Sequence, residues 1–148
     1  MKRILVPVDL KTEPDTVAQV VAEAARGAGA TVRLLHVAPV ASSVVDSDGR
    51  VVSYADQEAA RLESEALDYL RTIEIVLDGV PVEFVVRFGD PAEEILSEAE
   101  AFGADLIALT TPRGTRLCRF VLGGTVARVC RHASAAVMLL QPPALLAA

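Results

Sequence analysis

Asp9 and the run from Thr110 to Thr125 hold the residue types in this 148-residue chain best suited to binding chemistry. The apolar stretch 106–109 gives way to Thr110-Thr111-Pro112-Arg113-Gly114, and the chain later reaches Gly123-Gly124-Thr125 at the mouth of a further helical segment. A strand that empties into a glycine-bearing loop and then a helix N-terminus can hold an anion. Free backbone N–H groups and the positive end of the helix dipole converge there. Charge placement agrees with this. Up to Asp105 there are nine Lys/Arg against twenty Asp/Glu, whereas from Leu106 onward there are five arginines (113, 116, 119, 128 and 131) and no acid. The formal net charge of −6 therefore conceals a basic final stretch. The alternative is that these arginines merely solvate loop and helix surfaces. Asp9, at the end of the first apolar run, can accept hydrogen bonds from a ligand or cap the turn that follows it.

Other chemistries find little support. Cys118 and Cys130 show no CxxC or metal-ligand spacing and read as free thiols, and His36 and His132 stand in no metal-type cluster. No metal site is expected. A pI near 4.9 argues against nucleic acid or a membrane surface as the main partner. No apolar run has the length of a membrane span, and the first strand follows Lys2 and Arg3 with no room for a signal peptide, so a cytoplasmic location is expected.

The elements that must position these residues follow from periodicity. Residues 3–8 form a short apolar run, as a buried parallel strand does. From Asp15, Val17, Val20, Val21, Ala24, Ala25 and Ala28 recur at helical spacing, with Glu13 and Asp15 in the first turn and Gly27 and Gly29 near the stop. Residues 31–37 form the second strand, and 40–53 is either a small hairpin or a loop. Residues 54–77 form a long helix with Ala59, Leu62, Ala66, Leu70, Ile73 and Leu77 on one side, and 79–87 form the third strand. Gly89-Asp90-Pro91-Ala92-Glu93 opens the next helix, with Asp90 as cap, Pro91 in the first helical position and Glu93 able to reach back. That helix buries Ile95, Leu96 and Ala99 and ends near Gly103. Strand 106–109, the helix after Gly124 and a strand at Ala136–Leu140 complete the chain, with Pro142 and Pro143 as its stop. Strands and helices alternate, which predicts an α/β fold with a parallel sheet and helices on both faces. No repeat or linker interrupts it, so one domain over 1–148 is expected, ordered to about 141 with 142–148 as a frayed tail. In such sheets the ligand lies beyond the carboxyl ends of the strands where strand order reverses. Pro7, Val8 and Asp9, His36 and Val37, and the loop from Leu109 and Thr110 belong there.

Five pieces, ILVPVD, LLHVAP, GDPAEEIL, ADLIALTT and RLCRFVLGGTVARVCRHASAAVMLL, occur in order and at a spacing that resembles the universal stress protein family over essentially the whole chain. The resemblance implies an open five-stranded parallel sheet of order 3-2-1-4-5, adenine nucleotide α-hydrolase-like. It also implies a homodimer made by pairing the last strands, residues 137–140 (Val137, Met138, Leu139 and Leu140). The family's nucleotide-binding branch carries G-x2-G-x9-G-S/T. Without gaps those positions fall on Thr110, Arg113, Gly123 and Gly124; with a one-residue shift they fall on Thr111, Gly114, Gly124 and Thr125. Thr110 is β-branched, Pro112 removes an N–H and restrains Thr111, and Arg113 places a long side chain where close backbone approach is needed. The adenine end is better kept, with Asp9 in the place of the family's acidic residue and Val8 and Val37 flanking a purine.

The resemblance thus implies a non-catalytic stress-response protein with a degraded adenine-nucleotide site, weak or altered towards AMP, ADP or ATP; Mg2+ enters only if ATP binds. The alternative is a full ATP binder using Gly114, Gly124 and Thr125. An enzyme on the same fold is the weakest reading, because the chain has no nucleophile elbow, no P-loop lysine and no clustered acid/base pair.

Overall fold

The computed structural model describes residues 2–10, 14–40, 44–110 and 124–140. Among these, strands β1 (Arg3–Pro7), β2 (Thr31–Ala38), β5 (Val82–Phe88), β6 (Leu106–Thr110) and β7 (Ala136–Leu140) form one sheet in the order β5-β2-β1-β6-β7, every adjacent pair parallel. Renumbered over the sheet strands alone, this is 3-2-1-4-5, the expected open α/β arrangement. Helices α1 (Pro14–Ala28), α2 (Ala55–Val76), α3 (Pro91–Phe102) and α4 (Thr125–His132) cover its two faces.

Strand alternation divides the core between those faces. Ile4, Val6, Val32 and Leu34 pack with α1 and α2 residues including Val21, Ala25, Leu70, Ile73 and Leu77. Leu5, Leu35, Ile107 and Leu109 turn the other way, onto Ala92, Ile95, Ala99 and Phe102 of α3 and Val129 of α4. Being apolar on both sides, β1 and β6 read as continuous hydrophobic runs, which is how the sequence revealed them.

The differences from expectation have local causes. Among the described side chains of α1, Ala18, Val21, Ala22 and Ala25 are buried, Ala24 is half-buried and Ala28 is exposed, while the expectation for Val17 and Val20 lies outside them. An alanine- and valine-rich helix is apolar over too wide an arc for its period to fix the facing stripe. On α2 the burial holds for Ala66, Leu70 and Ile73, and for Leu77 at its C-cap, whereas Ala59 and Leu62 are only half-buried. The third sheet strand starts at Val82, after Pro81 rather than at Gly79. Residues 40–53 contain the hairpin: β3 (Val44–Val45) pairs antiparallel with β4 (Val51–Ser53). Asp46 makes its turn, accepting hydrogen bonds from the Asp48 and Arg50 amides at 2.9 Å each, with Gly49 at φ 80°. Asp90 caps α3 as expected, its Oδ2 accepting from the Glu93 amide at 3.0 Å. A side chain reaching back to the N-cap amide appears instead at α2, where Gln57 Oε1 accepts from the Tyr54 amide at 3.1 Å. The predictions on Glu13, Cys118 and the 142–148 tail lie outside the described residues. Among those that are described, no helix is long and apolar enough to cross a membrane.

Candidate functional site

The sheet places its topological switch at β1, because the chain builds β2 and β5 on one side and then β6 and β7 on the other. Beyond the carboxyl ends of these strands lies a cleft of about 340 Å³. Its walls are Pro7, Val8 and Asp9 after β1, Leu35, His36 and Val37 on β2, Pro91 and Ile95 on α3, Leu109 on β6, and Thr125 and Val126 on α4. The volume lies in the range of small-ligand pockets, and the walls are mainly apolar with few polar groups, as such pockets commonly are.

Each wall has a reason to be there. The Val8 amide donates to the Leu35 carbonyl at 2.8 Å, continuing the β1–β2 ladder past the strand end and bringing Val8 and Asp9 beside Val37. Asp9 is exposed, Val8 and Val37 are half-buried and Leu109 forms a buried floor. His36 Nδ1 lies 3.1 Å from the Val8 carbonyl oxygen, which can only accept, so Nδ1 carries the proton and a neutral ring leaves Nε2 as an acceptor. His36 is thus a half-buried, hydrogen-bonded residue near the end of β2.

Six sequence candidates, Pro7, Val8, Asp9, Val37, Leu109 and Thr125, meet in this one cleft. Gly124 stands at the N-cap of α4 with φ −89° and ψ 173°, and the helix receives no side-chain cap. Thr110 ends β6. Arg113, Gly114 and Gly123 lie outside the described residues, as do Thr111, Pro112, Arg116 and Arg119. Leu35, Pro91, Ile95 and Val126 are walls that the sequence reading does not name. The signal for Pro91 and Ile95 is present in GDPAEEI, since a helix opening directly after a parallel strand starts at the carboxyl end of the sheet.

Arg128, one of the basic residues suspected of meeting a ligand, is engaged within the protein. Its Nη1 lies 3.0 Å from both Oδ1 and Oδ2 of Asp90. The Glu93 amide and then the Arg128 guanidinium hold the Asp90 carboxyl below its ordinary range. Cys130 is a free, exposed thiol. No cluster of three or more His, Cys, Asp or Glu that could hold a metal occurs among the described residues.

An open parallel α/β sheet with an apolar cleft at its switch point is the doubly wound class of fold. The universal stress protein family profile matches residues 1–141, and the chain belongs to that family. It is similar to universal stress protein G of Shigella flexneri, 29% identical over 143 residues that cover 95% of this chain and 99% of that protein. Its fold matches the universal stress protein from Archaeoglobus fulgidus in complex with dAMP, with a TM-score of 0.62 and 18% identity over 94% of this chain and 97% of that one. It also matches a universal stress protein in complex with cAMP, with a TM-score of 0.66 and 12% identity over 96% and 98% of the two chains.

Proposed function

We propose that this protein is a non-catalytic member of its family that binds an adenine nucleotide through the switch-point cleft, weakly and with little hold on a triphosphate. The observation that carries the reading is the convergence of Pro7, Val8, Asp9, Val37 and Leu109 on one apolar pocket. A purine inserts between Val8 and Val37 over Leu109, and the Asp9 carboxylate accepts from a ribose hydroxyl or the exocyclic amine. The bound dAMP and cAMP of two structural relatives support the ligand class. The weakness towards triphosphate is supported by Thr110 and Arg113 in the ungapped motif frame, and by an α4 whose N-cap, Gly124, has no hydroxyl. Mg2+ belongs to the site only as a companion of ATP.

The protein acts as a homodimer paired through β7, an edge strand with Leu139 39% exposed. Edge-to-edge pairing satisfies the strand's outer N–H and C=O groups.

Thermal unfolding with and without ligand tests the binding reading. AMP or ADP at millimolar concentration should raise the midpoint of the parent, and Asp9→Ala should abolish that rise without lowering the ligand-free midpoint by more than a few degrees. A parent that no adenine nucleotide shifts would leave a family member working through its surfaces alone.

A further inference from the structure

The β3–β4 hairpin turns an apolar face to solvent. Val45 pairs with Val51 across its two strands, so their side chains stand together on one side of it. They are 54% and 45% exposed, and Val40 and Tyr54, just before and after the hairpin, are more exposed still. Of the six large apolar or aromatic side chains exposed among the described residues, these four fall within residues 40–54. No described side chain of β3 or β4 enters either cluster of the core. A two-stranded hairpin standing alone is marginal in water, and clustered valines on its surface mark a face that another surface covers.

The charges of the turn match a second copy of the same hairpin. Asp46 Oδ1 is engaged by the Asp48 and Arg50 amides of its own turn. The Asp48 carboxylate and the Arg50 guanidinium are exposed and have no partner among the described residues. Arg50 adjoins β4, and Asp48 sits at the tip. A two-fold axis along the hairpin lays β4 of one copy over β3 of the other. Val51 then meets the partner's Val45, and Arg50 reaches across the tip to the partner's Asp48, twice by symmetry. We propose that the β3–β4 hairpin is a self-association surface, on which two copies of this chain pack their valine faces and exchange Arg50–Asp48 ion pairs. The hairpin departs from β2, which β1 and β6 separate from β7 in the sheet, so this contact does not compete with pairing through β7. A stable interface takes roughly 20–30 residues a side. The hairpin offers far fewer, so its association is weak, absent in dilute solution and present as protein approaches millimolar concentration.

Sedimentation equilibrium of the full chain over a range of concentrations tests this, in the parent and in Leu139→Lys, which blocks β7 pairing and leaves the hairpin intact. The average mass of both should rise with concentration. In the Leu139→Lys background, Asp48→Arg and Arg50→Asp each set like charges across the axis and should lower the association constant by roughly tenfold, while the two combined restore opposite charges and should recover it to within about threefold. Val45→Ser with Val51→Ser should abolish the association and leave the unfolding midpoint within a few degrees, since neither valine belongs to the core. A Leu139→Lys chain whose mass does not rise with concentration would overturn the proposal, as would a double charge variant that associates no better than the single ones. Valine variants that leave the mass unchanged but remove an AMP-induced rise in the midpoint would assign this face to the ligand of the cleft, and would overturn it as well.

Discussion

Glu98 is 5% exposed on α3, yet nothing in its sequence neighbourhood marks it as buried. Its two oxygens lie 2.6 Å from Arg33 Nη1 of β2 and 2.6 Å from Arg87 Nη1 of β5, while Arg33 also pairs with Glu83 and Arg87 with Glu94. The Arg33 guanidinium stacks 4.1 Å from the centre of the Phe102 ring. Burial pushes the Glu98 carboxyl up, but hydrogen bonds from Arg87 and Arg33 outweigh it and hold the group below its ordinary range. Removing the shared carboxylate should leave two half-buried guanidiniums each with one remaining partner. Glu98→Gln should therefore destabilise the fold by about 1–3 kcal/mol, less than the full loss of a buried pair because both arginines are partly solvated. Denaturant unfolding at neutral pH measures it, and an unchanged midpoint would mean the network adds nothing. At the same scale Asp9, Val8 and Val37 were legible from the sequence, because strand ends in an alternating α/β pattern have a fixed destination. Glu98 was not, because its partners come from two other strands, 65 and 11 residues away.

Elements were legible where one periodicity had one interpretation. The strands β1 and β6 and the capped start of α3 belong to that class. The stripe of α1 does not, since small apolar residues over a wide arc leave tertiary packing to decide, and neither do the first turns of α2, where Ala59 and Leu62 are only half-buried. The hairpin β3–β4 rests on one aspartate holding two amides, a side-chain role that a propensity reading cannot separate from a loop. The edge element β7 carries the assembly proposal. Met138→Pro removes a strand N–H and should convert the dimer to monomer on light scattering. Since proline can also loosen the β6–β7 ladder, Leu139→Lys on the same strand should do so with the far-ultraviolet spectrum unchanged. A dimer surviving both would require another interface.

At the scale of the whole molecule, carboxylates with lowered affinity for protons tie distant parts of the chain together. Asp105 accepts from the Lys2 and Arg3 amides at 2.8 and 2.9 Å, and these two bonds hold its carboxyl below the ordinary range. That joins the start of β6 to the start of β1, Asp90 joins α3 to α4, and Glu98 joins α3 to β2 and β5. Each has a lower pKa folded than unfolded. Its contribution is complete above the unfolded value, roughly pH 4 to 4.5, and disappears as pH falls through the folded value. Stability should therefore be flat in this respect from neutrality to about pH 5 and decline steeply below pH 4. Thermal midpoints across pH 3–7 check this, and a decline beginning near pH 6 would point to other groups.

The central claim is that an adenine ring occupies the pocket between Val8 and Val37. A crystal structure of the protein grown with AMP tests it most directly. The account predicts the purine over Leu109, with a ribose hydroxyl or the exocyclic amine within hydrogen-bond distance of an Asp9 oxygen. An empty cleft at saturating AMP, or a nucleotide seated elsewhere with Asp9 untouched, would contradict it.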